Sequence, residues 1–115
     1  MLTLKGLMTL VSGELLTPET DLETECSKVF ASDLMSDVLT FMEPGSILMT
    51  GLVNAHVVRT ARLVDVTAII VVQGKRPDIK VINEAREHNV PIIATGCSMF
   101  EACSRISHSF TEGRR

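Results

Sequence analysis

A strand-then-helix unit recurs three times in close succession, and no other feature of this chain constrains its fold as much. Ile47–Thr50 runs into Gly51, Ala68–Val72 into Gln73 and Gly74, and Pro91–Ala94 into Thr95 and Gly96. A short unbroken apolar run is what a strand covered on both faces requires, and parallel neighbours need a crossover connection, usually a helix. The alternation therefore predicts an α/β fold with a mainly parallel central sheet flanked by helices. Ligands of such sheets sit beyond the carboxyl ends of the strands, so the loops that close these runs are the first place to seek a site.

The residues between the runs agree with this reading. Asn54 is placed to cap a helix over Ala55–Val64, with Val57, Ala61 and Val64 facing the sheet. Asp78 caps the next, with Ile79, Ile82 and Ala85 as its buried stripe. Ser98-x-x-Glu101 reads as a capping box opening a last helix whose apolar face is Met99, Cys103, Ile106 and Phe110. Earlier in the chain the pattern predicts a helix over Leu2–Leu10 stopped near Gly13, a short strand within Val11–Leu16, a turn at Thr17–Asp21 and a strand at Lys28–Ala31. Ser32 or Asp33 is placed to cap a helix over Leu34–Met42, which Pro44 and Gly45 end. Met35, Met42, Met49 and Met99 fall on apolar positions and read as core.

At 115 residues the chain has room for one domain, 1–115, with a polar tail from Thr111 to Arg115. Its net charge is −3, its aromatic content 3%, and it has neither Trp nor Tyr. Both a basic stripe for a phosphate backbone and a stacking platform for bases are missing, which argues against nucleic acid as a partner. The chain has no apolar stretch of the roughly 18 residues that span a bilayer, which argues against a membrane. Cys26, Cys97 and Cys103 form no C-x-x-C pair, as suits a reducing, cytoplasmic setting. His56, His88 and His108 are scattered, so neither a metal nor a cofactor is expected.

Motifs for several chemistries are missing. Gly74-Lys75-Arg76 continues into Pro77 instead of a hydroxyl residue, so there is no P-loop; the dinucleotide glycine fingerprint and the nucleophile elbow are also lacking. An enzyme is therefore not expected. What remains is a set of loops that a parallel sheet would bring to one edge: Ser32-Asp33, Thr50 to Asn54 with Gly51, Gly74 to Asp78 with Lys75 and Arg76, and Thr95 to Ser98 with Gly96. Each precedes a helix, whose free N–H groups and dipole act as about half a positive charge. Lys75 and Arg76 add cations, and the glycines would let a ligand approach the backbone. This predicts a site for a small anion; capping and turn geometry alone also account for the same residues. His56 lies in the first turn of its helix, with Asp33 the one carboxylate placed near it for a general-base role. Cys97, before the last helix, sits where a dipole lowers a thiol pKa, and His88 pairs with Glu84 at i,i+4 spacing.

The segments Ala31-Ser32-Asp33-Leu34-Met35-Ser36-Asp37-Val38-Leu39, Glu43 to Thr50, Ala68 to Val72 and Val90 to Thr95 resemble the stand-alone DRTGG domain family over nearly the whole chain. Such domains are similar to the amino-terminal domain of HPr kinase/phosphorylase and also occur fused to CBS pairs or in phosphotransacetylases. The Pro-Gly-x-strand segment is also similar to the amino-terminal, UDP-sugar-binding domain of Mur ligases. The resemblance implies a non-catalytic regulatory or ligand-sensing module, binding a nucleotide or phosphorylated metabolite. The letters Asp-Arg-Thr-Gly-Gly are absent from this chain, so the signature transfers no binding residue. The rival expectation is a protein-interaction module that pairs as a homodimer, or other homo-oligomer, without a small-molecule ligand.

Overall fold

The computed structural model describes residues 2–111. Its elements are β1 (Leu2–Thr3), α1 (Leu4–Leu10), β2 (Glu14–Leu15), β3 (Glu25–Cys26), β4 (Val29–Ala31), α2 (Met35–Phe41), β5 (Ile47–Thr50), α3 (Ala55–Leu63), β6 (Ala68–Val71), α4 (Ile79–Glu87), β7 (Ile92–Ala94) and α5 (Met99–Thr111). The three apolar runs form β5, β6 and β7. They pair in parallel, Leu48 against Ile69 and Ile70 against Ile93, and β4 adds a fourth parallel strand through Phe30 against Leu48. The sheet order is β2-β7-β6-β5-β4, with β2 antiparallel at one edge, so the sheet is mixed. A separate antiparallel ribbon joins β1 to β3.

The period-2 alternation of the strands sorts the core into two layers. Ile47, Met49, Ala68, Ile70, Val72 and Ile93 pack with Leu4, Leu7, Ala102 and Ile106 of α1 and α5. Leu48, Ile69, Val71 and Ile92 pack with Met35, Val38, Val57, Ala61 and Ala85 of α2, α3 and α4. Each βαβ step from β4 to β7 advances in the same direction across the sheet, and right-handed crossovers then place α2, α3 and α4 on one face. The helix after β7, α5, goes to the other face, where α1 also packs.

Helix starts follow the caps read from the sequence in three cases. Asn54 Oδ1 accepts from Val57 N at 3.2 Å, Asp78 Oδ1 from Val81 N at 3.1 Å, and Ser98 and Glu101 exchange bonds at 3.0 and 3.1 Å. The fourth differs. The N-cap of α2 is Leu34, whose own side chain caps nothing; Ser32 Oγ accepts from Leu34 N, and Asp33 turns away from the helix. Leu2 belongs to a strand, and Thr3 caps α1 by accepting from Gly6 N at 3.2 Å.

Three helices stop without glycine. Ser12, Asp65 and Asn89 take φ of 51, 55 and 57°, and the amides around them close on α1, α3 and α4 in the same way: Gly13 N to Met8 O, Val66 N to Ala61 O, Val90 N to Ala85 O. These are Schellman ends, in which the left-handed residue satisfies the last carbonyls. Gly13 is needed for a different reason, since a Cβ there would stand 2.6 Å from Ile93 Cγ2.

Two further expectations are corrected. Ile79 is 65% exposed, and the sheet-facing positions of α4 are Val81, Ile82 and Ala85. Glu84 does not pair with His88: its carboxylate takes the Arg59 guanidinium at 3.1 and 3.4 Å. Of the four methionines expected in the core, Met35, Met42 and Met49 are buried and Met99 packs at its margin. Of the expected polar tail, Thr111 ends α5 and residues 112–115 lie outside the described residues. Among the described residues no helix is long and apolar enough to cross a membrane, and no group of three or more His, Cys, Asp or Glu side chains is placed to hold a metal ion.

Candidate functional site

The loops after β4, β5, β6 and β7 meet at one edge of the sheet because the four strands run in parallel. Backbone bonds stitch them together: Ser32 N to Met49 O, Val72 N to Thr50 O, Gln73 N to Cys97 O and Gly74 N to Thr95 O. The loops after β6 and β7 lead to helices on opposite faces, which opens a crevice between the ends of these strands. A small pocket of about 170 Å³ lies there, lined by Glu14, Gly74, Lys75, Arg76, Thr95 and Gly96. Beside it an open groove of about 920 Å³ runs between the first turns of α3 and α4.

The groove has an apolar wall of Leu52, Val53, Ala55 and Val81. Its polar lining holds four cations, Arg59, Lys75, Arg76 and Lys80, against two carboxylates, Asp78 and Glu84. On a chain of net charge −3 this is a local excess of positive charge. Arg59 is bound to Glu84, and Arg76 reaches Glu14 at 2.6 and 3.3 Å. Lys75 and Lys80 enter no ion pair among the described residues.

The turn that presents Lys75 is unusual. Gln73 and Gly74 have φ of 67 and 69°, and Lys75 N closes on Val72 O at 3.4 Å, a turn that demands positive φ at both central residues. Unlike Ser12, Asp65 and Asn89, Gln73 ends no helix. Its left-handed backbone is held by its bond to Cys97 O.

Behind Gly51 of the groove, Asp33 takes the position of an acceptor. One of its oxygens accepts from Thr50 Oγ1 at 2.8 Å and from Gly51 N at 2.7 Å, while Thr50 Oγ1 itself accepts from Leu52 N. The Gly51 amide, then the Thr50 hydroxyl, hold the Asp33 carboxyl below its usual range, with a smaller contribution from Lys75. Thr50 is fully buried and Asp33 exposed.

The expected residues thus divide. Gly51, Asn54, Lys75 and Arg76 line the groove, and Gly74, Thr95 and Gly96 line the crevice; Asp33 and Thr50 line neither, and Asp33 meets the groove only through its bond to the Gly51 amide. Ser32, His56 and Ser98 line neither space. Ser32 and Ser98 are occupied at helix starts, and His56 is exposed with no bond to Asp33. Cys97 is buried, its thiol donating to Val11 O at 3.5 Å. Several amides that would hold an anion are taken by the chain's own side chains: the loop amide of Gly51 and the helix-start amides of Val57, Val81 and Glu101. The positive character of the groove therefore rests on side-chain cations. Arg59 and Lys80 were not singled out from the sequence, although both lie within two turns of a cap that was.

A second groove, of about 420 Å³, follows the outer edge of β4 and is lined by Phe30, Phe41, Ile106 and Phe110, with Lys28 and Glu43 paired at its rim.

The chain is similar in structure to the CBS and DRTGG domains of the regulatory region of Clostridium perfringens pyrophosphatase, solved with its activator diadenosine tetraphosphate. The TM-score is 0.75 at 23% identity, over 93% of this chain and 46% of that one, so the likeness is one of fold, and this chain spans just under half the length of its neighbour. Comparison with curated proteins gives no match. The family model of the DRTGG domain matches residues 6–109, and on that match the chain belongs to the DRTGG domain family.

Proposed function

We propose that this chain is a non-catalytic ligand-sensing module of a regulatory system, and that it binds a nucleotide or phosphorylated metabolite in the groove between α3 and α4. The observation that carries this is the excess of four cations over two carboxylates in that groove on a chain of net charge −3. Phosphate groups would lie toward Lys75, Lys80 and Arg76, and the apolar part of the ligand against Leu52, Val53 and Val81. That a regulatory region holding CBS and DRTGG domains has been solved with a dinucleotide activator supports the ligand class. The same reading takes 1–115 as one domain, keeps the finer likeness to the amino-terminal domains of HPr kinase/phosphorylase and Mur ligases, and sets the module in the cytoplasm.

A thermal-shift screen with nucleotides and sugar phosphates tests it. A ligand at a hundred times its Kd adds about 2.7 kcal/mol of stability by mass action, which moves the melting point by several degrees. Lys75→Ala/Lys80→Ala is expected to abolish that shift while leaving the unliganded melting point nearly unchanged, because neither lysine is ion-paired. If no compound shifts the wild-type protein, the ligand-sensing reading fails.

The groove along β4 favours a second reading, a homodimer or other interaction module. Among the described residues β4 is an edge strand with no strand partner on its outer side, and Phe41 beside it is 65% exposed. Light scattering decides between a monomer and a ligand-independent dimer.

A further inference from the structure

We propose that Asp33 is a resident stand-in for the ligand's anion, and that its displacement couples the groove to the start of α2. This rests on the ligand-sensing reading above and specifies how the site is regulated.

Three groups of different origin converge at Gly51. The Asp33 carboxylate binds its amide, and Thr50 Oγ1 donates to the same carboxylate oxygen. A Cβ placed on Gly51 would lie 3.6 and 3.7 Å from the two Asp33 oxygens and 3.7 Å from Lys75 Nζ. An amide and a hydroxyl bonded to one carboxylate oxygen, with the Lys75 ammonium close by but not paired with it, are a donor set that a phosphate oxygen also satisfies. Gly51 and Lys75 both line the groove. An arriving anion therefore meets a negative charge already seated on the best donors.

Exchange is chemically feasible because nothing is left orphaned. Thr50 is fully buried, and its hydroxyl would be costly to leave without an acceptor. A phosphate oxygen taking the place of Asp33 accepts from both Thr50 Oγ1 and Gly51 N, while the exposed Asp33 carboxylate is freed to water.

The consequence falls on α2. Asp33 sits between Ser32, whose amide stays tied to β5 through Met49 O, and Leu34, whose carbonyl accepts from Asp37 N and Val38 N to start the helix. Releasing Asp33 removes the side-chain tether of this short connection to the loop after β5. The first turn of α2 then loosens while Met35 and Val38 remain its buried anchors. The occupied and empty states of the groove would differ on the surface that carries Leu34 and Phe41, both more than half exposed.

The test uses the full chain, sodium tripolyphosphate as probe, titration calorimetry for affinity and amide exchange by NMR for the tether. Asp33→Asn keeps an acceptor for Gly51 N but removes the competing charge, and is expected to tighten tripolyphosphate binding about tenfold, a change of about 1.4 kcal/mol. Wild-type protein saturated with the probe is expected to exchange the Asp37 and Val38 amides faster than the free protein does. Equal or weaker binding by Asp33→Asn, with binding lost in Lys75→Ala, overturns the exchange of anions and leaves the ligand site standing. No binding by either wild type or Asp33→Asn overturns the site and this inference together. Should Asp33→Asn fail to fold, the wild-type arm decides: unchanged exchange in α2 at saturation overturns the coupling.

Discussion

Asp33 shows how one side chain can read correctly by type and wrongly by role. An acidic residue just before a helical pattern is an ordinary capping signal, yet the carboxylate bonds to Thr50 and Gly51, 17 and 18 residues further along the chain. Because those bonds lower its folded pKa below the ordinary 3.8, Asp33 contributes stability that is present in full above that value and is lost as pH falls through the folded pKa. The gain is small, about 1 kcal/mol or less, since the side chain is solvent-screened. Urea melts of wild type and Asp33→Asn are therefore expected to differ at pH 7 and to converge as the pH is taken below 3.8; a gap that persists in acid would show that the bonds do not depend on the charge. Cys26 illustrates the opposite influence, burial alone pushing its thiol up to about 11.

Helix beginnings were legible where the cap is local. Asn54, Asp78 and the Ser98/Glu101 box each act within three residues, so their geometry follows from the sequence directly. Helix ends were less legible, because Ser12, Asp65 and Asn89 adopt the left-handed conformation without the glycine that normally marks it. The exposed Ile79 escaped for a related reason: apolar spacing alone did not fix which face of α4 meets the sheet, and Val81 rather than Ile79 took the buried side. Asp78→Ala is expected to cost about 1 kcal/mol in chemical denaturation, the usual value of an N-cap. The same substitution removes a carboxylate from the groove, so it should weaken stability while leaving anion binding equal or tighter. Loss of both would mean that the start of α4 is reorganised, not merely uncapped.

At the scale of the molecule, the sheet separates two apolar layers that share its strands. Ile70 lies in the central strand β6, fully buried on the α1/α5 side. Ile70→Ala is expected to cost about 2–5 kcal/mol, and probes placed on α5 and on α3 should lose structure at the same urea concentration, because the layers are joined through one backbone. Separate transitions would show that they unfold independently. The sequence by itself determined the elements whose causes are local: apolar runs too short for helices and unbroken enough for covered strands, polar caps three residues from the amides they serve, and the order of strand and helix that commits the chain to a parallel sheet. Tertiary structure alone decided the order β2-β7-β6-β5-β4, the antiparallel entry of β2, and the partners of the rim charges, where Arg76 found Glu14, Arg59 found Glu84 and Asp33 found Gly51. Those pairings join residues far apart in the chain, and their energies depend on distances that exist only once the strands have aligned.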